Sequence, residues 1–104
     1  MLTIEELATI NEHIEKAERK HPDFVPKIVD ESISVSDAKC ILENYRSLLR
    51  TSETADNVIQ CECAEAMEAF VYGDNEHAID EYYDAIAAIV RAIRKIKNIA
   101  NKGE

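Results

Sequence analysis

Two pairs of carboxylates stand at helical spacing in this chain, Glu62 with Glu65 and Glu81 with Asp84. Residues three apart share one face of a helix, so each pair can present its oxygens to one ligand. A hard divalent cation such as Mg²⁺ takes oxygen donors in an octahedron, keeps several waters and bridges to phosphate oxygens, and carboxylates from two facing helices suit it. On the face that carries Glu81 and Asp84, steps of four and three lead to Ala88, Arg91 and Lys95. Acids are thus followed, one or two turns on, by bases. That order fits a cation held by the acids and a phosphorylated ligand whose farther phosphates meet Arg91 and Lys95.

The elements that must position these groups are helices. With Val58 taken as the origin, Ala55, Ala66, Ile59 and Phe70 fall at about 60°, 80°, 100° and 120°, which defines an apolar arc. Glu62 falls inside it at about 40°, Glu65 on its edge at about −20°, and Glu68 further toward solvent at about −80°. A carboxylate inside an apolar arc costs several kcal/mol of desolvation unless it is protonated, paired or bound to a cation. No Lys or Arg lies on the same helix to pair Glu62. The structural alternative is Arg91 or Arg94 folding over it from the basic end of the chain.

The chain has 104 residues, a formal charge of −9, 46% hydrophobic residues, two Gly and two Pro. So few turn formers and so much apolar material predict one all-α domain over 1–104, a bundle of about four helices, rather than a disordered acidic tail. The charge is concentrated. Residues 51–90 hold ten acids and no Lys or Arg, leaving the remainder at +1. Such a field makes duplex nucleic acid a poor direct partner, since phosphate binding draws on Lys and Arg. A divalent cation is the natural counter-charge.

Thr3 with Glu6 and Ser34 with Asp37 have the spacing of capping boxes. Ile4, Leu7, Ile10 and Ile14 continue the first helix up to His21-Pro22, which stops it. Residues 22–34, with Pro22, Pro26, Phe24, Val25, Ile28, Val29 and Ile33, read as an ordered, partly buried connection. Ala38, Ile41, Leu42, Tyr45, Leu48 and Leu49 make a strong second helix to about Arg50. A motif-bearing hairpin follows at about 53–101. Its first helix ends at Gly73, where a left-handed residue is easiest for Gly, and its second runs from Glu76 to about Asn101. The apolar stripe of that last helix, Ile79, Tyr83, Ile86, Val90 and Ile93, lies roughly opposite Glu81 and Asp84. Short helices with long apolar stripes need a further surface, so a homodimer or homotetramer is expected to complete the bundle.

Glu62-Cys63-Ala64-Glu65 and, after the hairpin, Glu81-Tyr82-Tyr83-Asp84 resemble the Glu-x-x-Glu and Glu-x-x-Asp motifs of the MazG-like all-α nucleoside triphosphate pyrophosphohydrolases. The resemblance covers about residues 55–97, with a fainter echo at Lys20-His21-Pro22. It implies that Glu62, Glu65, Glu81 and Asp84 bind Mg²⁺, with Mn²⁺ as a substitute. Glu65 and Asp84 are then the catalytic carboxylates that orient or deprotonate water, and a (deoxy)nucleoside triphosphate is hydrolysed to monophosphate and pyrophosphate. The chain departs from relatives in carrying Cys61 just before the first motif, where they commonly have Glu, and Arg91 where they often have Asn.

Other chemistry is set aside. Cys61 and Cys63 diverge by about 200° on a helix and cannot chelate one zinc ion. Glu18-x-x-His21 is the one Glu-x-x-His, where a di-iron bundle needs two. His13 and His77 are expected in solvent, and Tyr82, Tyr83 and Met67 in the core. An odd count of three cysteines and an N-terminus without a basic-then-apolar order predict a cytoplasmic protein with reduced thiols and no membrane span. The competing reading is a non-catalytic helical module whose acidic face binds a basic partner protein.

Overall fold

The computed structural model describes residues 1–24 and 27–102. Its elements are α1 (Ile4–Lys20), α2 (Val35–Thr51), α3 (Ala55–Tyr72) and α4 (Asn75–Lys102). No strand occurs among the described residues, and the architecture is all-α, as the periodicity predicts.

Each helix starts where a side chain can satisfy its free amides. Thr3 accepts from the Glu6 amide and Glu6 Oε1 from the Thr3 amide, at 3.0 and 2.9 Å, and Ser34 and Asp37 repeat the reciprocal arrangement. Both predicted capping boxes are present. Thr54 accepts from the Asn57 amide, so the polar Ser52–Thr54 break separates α2 from α3 instead of joining them. Gly73 closes α3 at φ 88°, in the left-handed region, and donates back to Ala69 and Phe70. A side chain there would be strained by the backbone angle, although a Cβ would meet no atom within 4 Å. Asp74 then caps α4 by accepting from the His77 amide at 3.1 Å.

The core is thin and built mainly from small residues. Leu42 of α2 packs with Cys61 and Ala64 of α3, flanked by Tyr45 and Leu49. Ala66 and Ala69 of α3 and Ala78 and Ala85 of α4 are the other buried residues of the hairpin, and Ala38 of α2 is buried as well. The buried positions of α3 therefore span about 200° of its circumference, wider than the expected arc, because α3 is packed by α2 on one side and α4 on the other. Glu68 is consequently half-buried rather than turned to solvent, and Phe70, expected in the arc, is exposed.

α1 differs. None of its residues is buried, and among the described residues it brings no Cα within 8 Å of another helix. It is held to α4 by Arg94, whose guanidinium donates to both Glu6 carboxylate oxygens at 2.7 and 2.8 Å and to the Met1 carbonyl at 2.9 Å. The connection after it is more exposed than predicted. Phe24 and Ile28 are exposed while Val29 and Ile33 are half-buried; Val25 and Pro26 lie outside the described residues. The α4 stripe is likewise largely exposed, at Ile79, Tyr83, Ile86 and Ile93, while Val90 is half-buried and lines grooves shared with Met1, Leu2 and Ile10. The Cα radius of gyration is 16.0 Å, against about 13 Å for a compact chain of this length.

Candidate functional site

The antiparallel hairpin sets the register of the acids. Residues equally distant from Gly73 lie at one level: Glu65 and Glu81 eight residues to either side, Glu62 and Asp84 eleven, Val58 and Ala88 fifteen. Each level of acids therefore takes one member from α3 and one from α4. A ligand atom from each of Glu62, Glu81 and Asp84 lies within 4.8 Å of the other two. Among the described residues, no Lys or Arg comes within 4.0 Å of these three carboxylates. Glu81 is 14% exposed, and its Oε2 is buried without a hydrogen-bond donor.

Glu65 is outside that triangle, between Glu81 and α2. Its Oε1 lies 3.7 Å from an Arg46 nitrogen. Burial raises its pKa, the facing Glu81 carboxylate raises it further through a hydrogen bond that exists only when one of the two is protonated, and Arg46 opposes the shift. All four predicted acids are thus neighbours, with three forming the tightest cluster and the fourth beside it.

Neither basic residue named as the structural alternative neutralises Glu62. Arg94 is committed to Glu6. Arg91 and Lys95 instead line a groove of about 350 Å³ with Glu53, Ala55, Val58, Ala88 and Ala92. Val58 and Ala88 form the level directly beyond Glu62 and Asp84, so the groove continues the α3–α4 seam from the acids to the bases. At 1.5 Å per residue, Arg91 lies about 10 Å and Lys95 about 16 Å beyond Asp84 along α4.

Two residues were missed by sequence reasoning. His77, expected free in solvent, is exposed, yet its Nε2 lies 3.1 Å from Glu81 Oε1 and its Nδ1 3.9 Å from Asp74. The i, i+4 spacing of His77 and Glu81 was the available signal. Arg46 carried none, because its meeting with Glu65 depends on how α2 lies against α3.

Cys61 is buried with its Sγ 4.0 Å from Glu65 Oε1, and burial pushes its thiol up, as it does that of half-buried Cys63. Cys40 is exposed. No helix among the described residues is long and apolar enough to cross a membrane. Compared with protein-family models, with curated proteins and with solved structures, the chain matches none.

Proposed function

We propose that the chain is a Mg²⁺-dependent nucleoside triphosphate pyrophosphohydrolase of the MazG-like kind, releasing monophosphate and pyrophosphate. The observation that carries the reading is three carboxylates from two helices converging without a Lys or Arg partner, one of them, Glu81, meeting only His77 through Oε1 and having a buried Oε2 that lacks a donor. Two or more carboxylates at this separation repel unless a proton or a cation intervenes. An all-oxygen set, with Glu62 and Glu81 half-buried and Asp84 exposed, suits Mg²⁺ or Mn²⁺ rather than zinc.

Glu62, Glu81 and Asp84 would hold the cation, with Glu65 able to complete the set. When bound, it supplies Lewis acidity that makes water a stronger acid and offsets the charge of the triphosphate. The remaining steps belong to side chains. Glu65, whose pKa burial and the facing Glu81 raise, is suited to take the proton of the attacking water, and Asp84 to orient that water. The water oxygen bonds to the α-phosphorus, the bond from that phosphorus to the bridging oxygen breaks, and pyrophosphate leaves. Arg91 and Lys95, in the groove beyond the acids, would meet the outer phosphates. In this reading at least two copies of the chain complete the bundle.

The test is pyrophosphate release from a panel of (deoxy)nucleoside triphosphates with Mg²⁺, repeated with a chelator and with Glu65→Gln and Asp84→Asn. Release that stops with the chelator and in both variants supports the reading. Release that survives both substitutions removes these residues from the chemistry. No release from any nucleotide favours the acidic interaction module.

A further inference from the structure

The face of α4 that carries Glu81, Asp84, Ala88, Arg91 and Lys95 extends back by one further step of four, to His77. Along one line, the acids are thus flanked by the groove bases at one end and by an imidazole at the other. His77 rides on the first turn of α4, where its amide donates to Asp74 Oδ1 at 3.1 Å. That cap fixes the backbone from which the ring reaches forward to Glu81.

An i, i+4 pair on an exposed helix face leaves both carboxylate oxygens in water. Glu81 differs, because its side chain is 14% exposed and its two oxygens have different surroundings. Oε1 lies 3.1 Å from His77 Nε2, whereas Oε2 is buried and has no donor. A carboxylate can only accept, so Nε2 carries the hydrogen in this contact. Across the seam, the residue level with His77 is Ala69, four positions before Gly73, whose side chain has no donor to offer. Glu65, level with Glu81, is another acid. Among the described residues, the imidazole is the one basic group within 4.0 Å of Glu81. Neither ring nitrogen joins the ligand atoms of Glu62, Glu81 and Asp84 that lie within 4.8 Å of one another. The ring therefore touches the cluster through Glu81 and is not a fourth member of it.

We infer that His77 is a positioning residue for the cation site: its Nε2–H occupies Oε1 of Glu81 and reserves the buried Oε2 for the cation. A hydrogen bond to a ligating carboxylate holds the group in one orientation before the metal arrives, so binding has less freedom to remove. The inference rests on the Mg²⁺ reading of the three acids, and adds to it a residue that touches neither cation nor nucleotide.

Mn²⁺ binding to the full chain without nucleotide, read from the loss of the aqueous Mn²⁺ EPR signal, tests the two separately. His77→Ala should weaken binding by about 10- to 100-fold, as loss of a group that orients a ligand does. His77→Gln, whose amide nitrogen can donate to Glu81 from the same i, i+4 position, should restore most of it. Circular dichroism of both metal-free variants should match the parent, since the His77 ring is exposed and the backbone amide still meets Asp74. Bound Mn²⁺ in the parent should show no imidazole nitrogen coupling in its spin-echo modulation. Parent-like affinity in His77→Ala overturns the positioning role and leaves the cation site standing. A loss that His77→Gln does not restore, or nitrogen coupling that disappears in His77→Ala, overturns it too, since the ring would then be a ligand itself. No Mn²⁺ uptake by the parent chain overturns the cation reading and this inference with it.

Discussion

Two carboxylate environments in this molecule are built from the same residue type on neighbouring helices and come out opposite. At the α1–α4 contact, Glu6 receives two bonds from Arg94 and one from the Thr3 amide, and its pKa is lowered to about 2. At the α3–α4 seam, Glu62, Glu81 and Asp84 converge with no guanidinium or ammonium, and Glu65 beside them has its pKa raised. The bases that could have served the seam exist on α4 but are spent elsewhere: Arg94 holds α1, while Arg91 and Lys95 line the groove. A carboxylate that a protein uses for its own architecture is given its cation within the chain. The seam gives Glu62, Glu81 and Asp84 no Lys or Arg and sets only His77 beside Glu81, and the proposed cation would take that place.

The largest effects expected from this contrast are on turnover. Glu81→Gln and Glu62→Gln should each lower Mg²⁺-dependent pyrophosphate release by at least ~100-fold, as loss of an essential acid–base or metal-binding group does. Glu6→Gln, which removes an acid of equal charge from the other environment, should leave the release rate unchanged. Equal losses in all three would mean that the two environments do not differ in function.

Next comes the response to metal. A cation bound only by the folded chain stabilises it by about 2.7 kcal/mol at a hundred times its dissociation constant. For a domain of this size, that is a rise of about 10 °C or more in the melting midpoint. The rise should disappear in Glu81→Gln and persist in Glu6→Gln. Midpoints that do not move with millimolar Mg²⁺ or Mn²⁺ in the unaltered chain would count against a preformed site.

A smaller effect distinguishes the two environments by pH without metal. A carboxyl whose folded pKa is raised loses stability as pH climbs past its unfolded value near 4.5, because the folded state must give up a proton it holds more tightly. Glu65→Gln should therefore raise the metal-free melting midpoint at pH 7 by a few degrees and leave it nearly unaltered at pH 4. A lower midpoint at pH 7 would mean that the Arg46 pair, not burial and Glu81, dominates at Glu65.

How legible these regions were in the sequence follows the same division. The helices, their capping boxes, the Gly73 turn and the acids of the hairpin were all readable, because they depend on residues close in sequence or equidistant from one turn. The position of Glu62 inside an apolar arc was readable for the same reason. What could not be read was which surface meets which when a loop gives no register. Arg46 reaching Glu65, Arg94 committed to Glu6 eighty-eight residues away, and α1 standing off the bundle all depend on packing across such connections. Periodicity marked the apolar stripe of α4 correctly as a stripe, but a period says nothing about what covers it, and Ile79, Ile86 and Ile93 are exposed.

The smallest effect belongs to the α1 anchor. Because the Glu6 pKa is depressed, the stability contributed by its ion pair is present above pH 4.5 and is lost as pH falls toward 2, the reverse of the trend at Glu65. The pair is exposed, and α1 buries no residue of its own, so the global melting midpoint should hardly register its loss. Local opening should. In Arg94→Met, amide hydrogen exchange in Ile4–Lys20 should quicken relative to the parent chain, while Ala55–Tyr72 keeps its protection, since α3 is packed from both sides. Lowering the pH of the parent chain from 5 to 3 should reproduce part of that selective loss once the intrinsic pH dependence of exchange is removed. If α1 and α3 lose protection together in Arg94→Met, the ion pair supports the whole bundle, and the division between an internally paired contact and an open seam is less sharp than the distances imply.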